Sequence, residues 1–391
     1  MKSAPFNPND KGLLISIVTD NDPEGNLNWT NSTNEPDHWE GVMWKNLNGE
    51  LRVRWIEGHN KGLTGDLTFL PLTFLHTLNL SRNQLKKIDL SGNLALKWLD
   101  LSHNQLTEMD LSRNEALQRL DLSHNQLTEM DLSENLALRR LDLSANQLTK
   151  IDLSENLALK RLNLSRNQLT TIDLSRNEAL EWLDLSANQF REMDLSANLT
   201  LKILFLSENQ LREMDISRNL DLSWLKINHN QLESLEISHN FRLKELEVQF
   251  NRLSFLDISH NNSLNRLNVN GNRFPLSRLD SLMKIDRLCV GTQTDVELPV
   301  LPKDKLVVGQ PYDIGSEKSF NGLPTNFTVF FNDSPATQNS DYKLNNGVIV
   351  FLSEGEYRIT MKNKQIHNKP HKYYGSDQAL VTTSTLIVRL A

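Results

Sequence analysis

The sequence predicts a solenoid of the α/β class, mostly β, with a parallel sheet on its concave face and a β-sandwich after it. Two observations predict this fold. A 21-residue unit occurs ten times without a gap, with copies that start between Leu75 and Leu264, and the period stops at Phe274. After residue 302 the chain changes to short β-prone runs separated by turn residues, which favours a small sandwich.

Each repeat contains one short strand. In the copy that starts at Leu117, the alternation of Leu120 and Leu122 predicts a strand that turns its leucines inward. A single unit cannot bury that face, so neighbouring units must stack into a right-handed solenoid with a continuous core. Twenty-one residues leave little room for a helix on the return path. The segment Met130–Ser133 is therefore expected to be extended or 3₁₀.

Two polar columns accompany the leucines. The ninth position is Asn in all ten copies, and an Asn side chain can satisfy a buried turn because it both donates and accepts. Asp recurs at the fifteenth position, as in Asp131, where the spacing to Ser133 suits an Asx-type turn. A calcium-binding edge is the alternative for this column. The ninth-position residues are Asn83, Asn104, Asn125, Asn146, Asn167, Asn188, Asn209, Asn230, Asn251 and Asn272.

The pattern L-x-x-L-x-L-x-x-N-x-L resembles the leucine-rich repeat. Before the repeats, Trp39-Glu-Gly-Val42 and Gly62-Leu-Thr-Gly65 resemble the N-terminal caps of that family, and Gly12–Val18 is a helix or a strand. The order of cap, repeats and sandwich resembles bacterial surface proteins of the internalin type, which implies an immunoglobulin-like sandwich. The expected domains are 1–74 (N-terminal cap), 75–274 (solenoid), 275–302 (C-terminal flank and linker) and 303–391 (immunoglobulin-like β-sandwich).

Bulk properties exclude several functional classes. A formal charge of −7 argues against nucleic acid or an anionic membrane as the partner. No apolar run is long enough to span a bilayer. The first residues lack the apolar core of a signal peptide, so we expect either an extracellular or cell-surface protein whose leader has been removed, or a cytoplasmic one. The single cysteine, Cys289, excludes an intrachain disulfide and a cysteine-rich metal site.

No catalytic constellation is visible, so we expect neither an enzyme nor a cofactor. The histidine pairs His103/His124 and His239/His260 occupy equal positions in adjacent repeats, where surface loops are the simple interpretation and metal binding the alternative. The arginine column raises the possibility of nucleic-acid binding. Acidic residues such as Asp121, two positions further on, would repel phosphates there.

The candidate binding site lies at positions three and five, flanked by positions two and eight. Side chains at positions three and five point out of the concave face and are not needed for the core. Large apolar residues there predict a contiguous patch with a charged rim, the composition of an interface hot spot. Its alternatives are aromatic rings that stack on neighbouring arginines, exposed ion pairs such as Arg119/Asp121, and contact with a second copy of the chain. The candidate ligand-binding residues are Trp182, Ile203, Phe205, Trp224, Lys226, Phe250, Trp98, Arg119, Arg140 and Arg161.

These observations predict a monomeric, non-enzymatic recognition or adhesion protein, surface-exposed or secreted by a bacterium, that binds a protein or a glycan on its concave face. An intracellular effector or scaffold that uses the same surface is the alternative, as is a solenoid that mainly spaces other parts.

Overall fold

The structure is a computed structural model. Residues 30–38 of the expected cap, most of the expected linker at 300–302 and residues 367–379 of the expected sandwich lie outside the described residues. The structure describes residues 4–23, 25–27, 29, 39–68, 72–296, 298, 301, 305–320, 323–363, 365–366, 380–383 and 386–389.

The chain divides into two compact units, Met1–Phe205 and Leu206–Ala391. The first unit opens with helix α1 (Pro8–Asn21), which settles the conformation of Gly12–Val18 as helical. Its first turn is capped by the Asn7 side chain, which accepts from two backbone N–H groups. None of the helices in the described ranges is long and apolar enough to cross a lipid bilayer.

The cap continues the repeat sheet of the first unit. Strand β1 (Val42–Leu47) pairs antiparallel with β2 (Glu50–Glu57), and β2 pairs parallel with the first repeat strand. Strand β3 (Thr64–Thr68) pairs in parallel with β5 (Gln84–Asp89). The remaining strands of the unit are β4 (Thr77–Asn79), β5 (Gln84–Asp89), β6 (Trp98–Asp100), β7 (Arg119–Asp121), β8 (Arg140–Asp142), β9 (Arg161–Asn163), β10 (Trp182–Asp184) and β11 (Ile203–Phe205).

The repeat strands pair in parallel and in register, so equal repeat positions lie side by side. Arg119 faces Arg140, and Arg140 faces Arg161, while the leucines between them are buried. No helix occupies the second half of these repeats, as the 21-residue period predicts: turns and extended segments make the return path.

The second unit carries the remaining repeats. Its parallel strands are β12 (Trp224–Lys226), β13 (Glu245–Glu247), β14 (Arg266–Asn268) and, after helix α2 (Leu276–Asp280), β15 (Arg287–Cys289). Strand β15 is one rung beyond the last complete repeat, in the segment that the sequence assigns to the flank.

The rest of the second unit contains two facing sheets, which form a C-terminal β-sandwich, and a separate two-stranded sheet made by Ser319–Phe320 and Leu323–Pro324. Phe351 of one sheet lies 4.6 Å from Tyr357 of the other, measured between ring centres. The β-prone runs that the sequence shows at 305–308, 326–331, 347–352, 356–361 and 385–390 each contain a strand in the described residues. The strands are β16 (Thr292–Val296), β17 (Leu306–Val307), β18 (Pro311–Asp313), β19 (Ser319–Phe320), β20 (Leu323–Pro324), β21 (Asn326–Phe331), β22 (Ser334–Pro335), β23 (Tyr342–Asn345), β24 (Val348–Phe351), β25 (Gly355–Lys362), β26 (Leu380–Thr383) and β27 (Leu386–Arg389).

The sandwich begins before residue 303. One sheet contains β16, β17, β21, β22, β25, β26 and β27, and the other contains β18, β23 and β24. Strand β16 pairs with β26, so residues 292–296 complete a sheet of the sandwich although they lie in the expected linker.

The ninth-position asparagines tie each coil to the one before it. The amide of Asn125 donates to the carbonyl of Leu122 in its own coil and to that of Leu101 in the preceding coil, both at 3.0 Å. Its carbonyl oxygen accepts from the backbone N–H of Leu106, also at 3.0 Å. The ladder ends at Gln293, whose longer amide makes the same kinds of bond in the coil of β15.

A second asparagine ladder runs at the nineteenth position, and the sequence analysis missed it. Asn135 is fully buried, and its amide donates to the carbonyls of Leu111 at 3.0 Å and Asn114 at 3.1 Å. The signal was available, because this position is Asn in nine consecutive repeats, from Asn93 to Asn261.

The first ladder predicts a specific loss of stability. Asn146→Ala should lower the free energy of unfolding by about 1–3 kcal/mol, because buried carbonyls and the N–H of Leu127 lose their partner. The neighbouring exposed Gln147→Ala serves as the control and should change it little. Urea denaturation of both variants measures the effect, and equal stability of the two would refute the ladder.

Candidate functional site

The position-three side chains of the first unit line a groove of about 370 Å³ on the solvent-facing side of the sheet, opposite the buried leucines. Five strands, β6 to β10, contribute one such residue each, and Asp121, Asp142 and Asn163 of position five also line the groove. The position-three residues are Trp98, Arg119, Arg140, Arg161 and Trp182. Five residues predicted from the sequence are thus brought into one groove.

Aromatic pairs close both ends of this groove. At one end Trp98 packs edge to face on Trp55, with ring centres 5.7 Å apart. At the other end Trp182 packs edge to face on Phe205 at 5.9 Å. Such pairs hold their rings in place, so each end presents a rigid apolar wall. Sequence reasoning missed Trp55, because it belongs to the cap and stands outside the repeat register.

The three arginines between the walls are exposed. The guanidinium carbon of Arg119 lies 6.0 Å from the ring centre of Trp98, and that of Arg161 lies 5.9 Å from the ring centre of Trp182. Stacking of tryptophan on arginine, considered from the sequence as an alternative, therefore occurs at both ends. Arg140 stands between them, away from either wall.

The ion pairs Arg119/Asp121 and Arg140/Asp142, which the sequence offered as an alternative, do not form among the described side chains. The reason is that position-five carboxylates bond to the chain two residues further on. Asp121 accepts from the backbone N–H of Ser123 at 3.0 Å and from its hydroxyl at 2.7 Å. Asp142 does the same with Ser144.

Burial raises the pKa of one position-five carboxyl, that of Asp121. Desolvation raises the pKa of Asp121 to about 6, and the neighbouring carboxylates of Asp142 and Asp100 act in the same direction. The two bonds from Ser123 oppose this shift without cancelling it. In the repeat after Asp142 the same place is taken by Asn163, whose amide donates to Asp142 at 2.9 Å.

A basic hollow of about 340 Å³ adjoins the groove on its position-two side. Arg139 and Lys160 line it together with the three groove arginines, and Glu181 is the one acidic residue in its lining. Glu181 is already engaged by Lys160 at 3.2 Å and Lys202 at 2.8 Å. The surface next to the groove is therefore positively charged.

The remaining predicted site residues fall in two places. Ile203 of β11 lies beside Trp182 of β10, at the Trp182 end of the groove. Trp224 and Lys226 belong to the second unit, where the ammonium of Lys226 lies 4.9 Å from the Trp224 ring centre. Phe250, also in the second unit, lies in a turn with left-handed backbone, half of its surface exposed, and packs on His229 at 4.4 Å.

The histidine pairs differ from each other. His103 and His124 stack face to face at 4.0 Å, whereas His239 and His260 each contact the serine just before them. No group of three His, Cys, Asp or Glu side chains arranged to hold a metal ion occurs among the residues that the structure describes. The fifteenth-position aspartates make the expected turn, since Asp131 accepts from the N–H of Ser133 at 2.9 Å.

The acidity of Asp121 predicts a pH-dependent stability difference. Its folded-state pKa of about 6 exceeds the ordinary value of 3.8, so the stability it contributes is fully present below pH 3.8 and is lost as pH rises through 6. Asp121→Asn, which copies Asn163, should match the wild type near pH 3.5 and exceed it by up to about 3 kcal/mol at pH 7.5.

Denaturation curves from pH 3.5 to 8 measure this difference. The control is Asp131→Asn on the exposed turn, where the bonds from Ser133 lower the pKa of the carboxyl and the sign should be opposite. An Asp121→Asn curve parallel to that of the wild type at every pH would contradict the assignment.

Comparison with known proteins agrees with the repeat architecture. Models of the leucine rich repeat family match residues 95–115, 116–136 and 137–190. Comparison with curated protein sequences gave no significant match.

Solved structures share the fold. The functional domain of InlJ from Listeria monocytogenes, which includes a cysteine ladder, is 24% identical with a TM-score of 0.57, covering 81% of this chain and 77% of that one. The ectodomain of the receptor kinase GASSHO1/SCHENGEN3 from Arabidopsis thaliana, in complex with CASPARIAN STRIP INTEGRITY FACTOR 2, is 22% identical with a TM-score of 0.60, covering 73% and 44%. This chain has a single cysteine, so its coils are tied by asparagine ladders without a cysteine ladder. Residues 95–190 are therefore leucine-rich repeats, and the chain shares the fold of the functional domain of InlJ.

Proposed function

We propose that this protein is a monomeric, non-enzymatic recognition protein that binds a protein ligand in the groove between Trp98 and Trp182. We further propose that it acts at a bacterial surface or after secretion, with the C-terminal β-sandwich, of immunoglobulin-like type, as a support for the repeats.

The observation that carries the proposal is the groove itself. Rigid aromatic walls and exposed arginines occupy strand positions that the core does not need, and no ion pair within the described part of the chain engages those arginines. Trp and Arg are the residues most enriched in interface hot spots. Leucine-rich repeats are interaction modules, and the Arabidopsis ectodomain of the same fold is in complex with a partner.

The aromatic and charged residues of the second unit are proposed as a further contact surface. Trp224 and Lys226 are half-buried, and Phe250 is exposed, so a ligand can reach all three. An intracellular scaffold would use the same side chains, and the location of the protein in cells distinguishes the two settings. A glycan in place of a protein is the alternative ligand for the same surface.

Selection of a displayed random-peptide library on the immobilised full-length chain tests the proposal. Trp98→Ala and Trp182→Ala should each weaken the enriched peptides by about tenfold, or about 1.4 kcal/mol, because each removes a wall of the groove. Neither change should lower the melting temperature much, since both rings are only half-buried.

Leu136→Ala is the matched control, since this exposed apolar side chain belongs to the same unit but lies outside the groove lining. It should bind the peptides like the wild type. Enriched peptides that bind equally to both tryptophan variants would place the site elsewhere. Trp224→Ala, assayed in parallel, shows whether the second unit contributes.

A further inference from the structure

The positive charges of the three groove arginines are not neutralised by ion pairs within the described residues. Arg119, Arg140 and Arg161 lie on three adjacent strands, about 5 Å apart from one to the next. Like charges at this spacing repel, and each would be stabilised by a counter-ion. Within the described ranges no carboxylate forms an ion pair with them, because the nearby aspartates are bonded to serines.

The charge balance of the groove selects the kind of anion. On the three central strands, three arginines face two carboxylates, Asp121 and Asp142, which leaves a small positive excess there. Asp100 and Asp184 lie on the end strands, beside the two tryptophans. A polyanion with a charge at every step, such as a nucleic acid, would bring phosphates against those carboxylates. Single carboxylates can instead bond to the arginines in forked pairs while staying clear of the acidic row.

The length of the groove matches that of a short peptide in an extended conformation. From the strand of Trp98 to that of Trp182 there are four strand steps, or about 19 Å. An extended chain covers about 20 Å in six steps, and alternate side chains point the same way. Seven residues therefore present four side chains to the groove, with the outer two at the aromatic walls and the inner two at the arginines.

We propose that the groove binds an extended, acidic peptide segment of its protein ligand, with two carboxylates on the arginine row and an apolar side chain at each wall. The proposal rests on the function proposed above and adds the chemical class of the ligand. Arg140 makes the central contact, because Arg119 and Arg161 stack on tryptophans and no aromatic ring among the described residues stacks on Arg140.

The test uses blocked synthetic heptapeptides and the full-length chain. One peptide has Leu at its first and last positions, Glu at the third and fifth, and Ser elsewhere; the second has Gln in place of Glu. Calorimetry should show the Glu peptide binding at least about tenfold more tightly than the Gln peptide, as expected for charge-assisted bonds.

The variants then locate the contact. Arg140→Gln should remove most of that preference, and Arg140→Lys should restore part of it, because a lysine keeps the charge but loses the forked geometry. Arg113→Gln removes the same charge from an exposed position outside the groove and should leave the preference unchanged.

The possible failures are distinguishable. Equal affinity for the two peptides, no saturable binding of the Glu peptide, or an unchanged preference in Arg140→Gln would overturn the acidic ligand. Tighter binding of heparin than of the Glu peptide, lost in Arg140→Gln, would overturn it in favour of a sulfated glycan. The proposed function stands without the acidic ligand if binding of library-selected peptides depends on Trp98 and Trp182. If that binding does not depend on them, both proposals are wrong.

Discussion

The bond between an asparagine amide and the carbonyl of the preceding coil is the interaction on which the rest of the repeats depends. Asn125 joins Leu101 to Leu122, and its carbonyl oxygen holds the N–H of Leu106. A coil that slipped by one residue would leave these buried groups without partners and would turn its leucines outward. The 21-residue register is therefore a condition of stability as well as a pattern.

Because the coils pair in register, side chains at the same repeat position lie next to each other in adjacent coils. Charged positions therefore bring like charges side by side. The repulsion is reduced by different contacts at different repeat positions. Aspartates at positions five and fifteen bond to serines two residues on, which disperses their charge. The end arginines of the groove stack on tryptophans, and Arg140 between them does not. The row with the least internal compensation is the one most available to a ligand.

Much of the architecture was predictable from the sequence because the repeat carries its own register. The strands at positions three to five, the ninth-position ladder and the Asx turns follow from residue types at fixed spacings. The main strands of the sandwich follow from β-prone runs between turn residues. Left-handed backbone at position eight did not, since residues as different as His124, Ala145 and Phe250 adopt it. There the turn imposes the conformation, and the residue types carry no signal of it.

By itself the sequence determined which side chains share a column, and so which residues face the groove. Only the tertiary structure decided how they interact. Trp55 reaches Trp98 across Thr77 from a cap that has no repeat register, so no spacing could predict that wall. The arginines and aspartates share a face without pairing, because each carboxylate has a closer local donor. The pKa of Asp121 likewise depends on burial, which arises only when neighbouring coils stack.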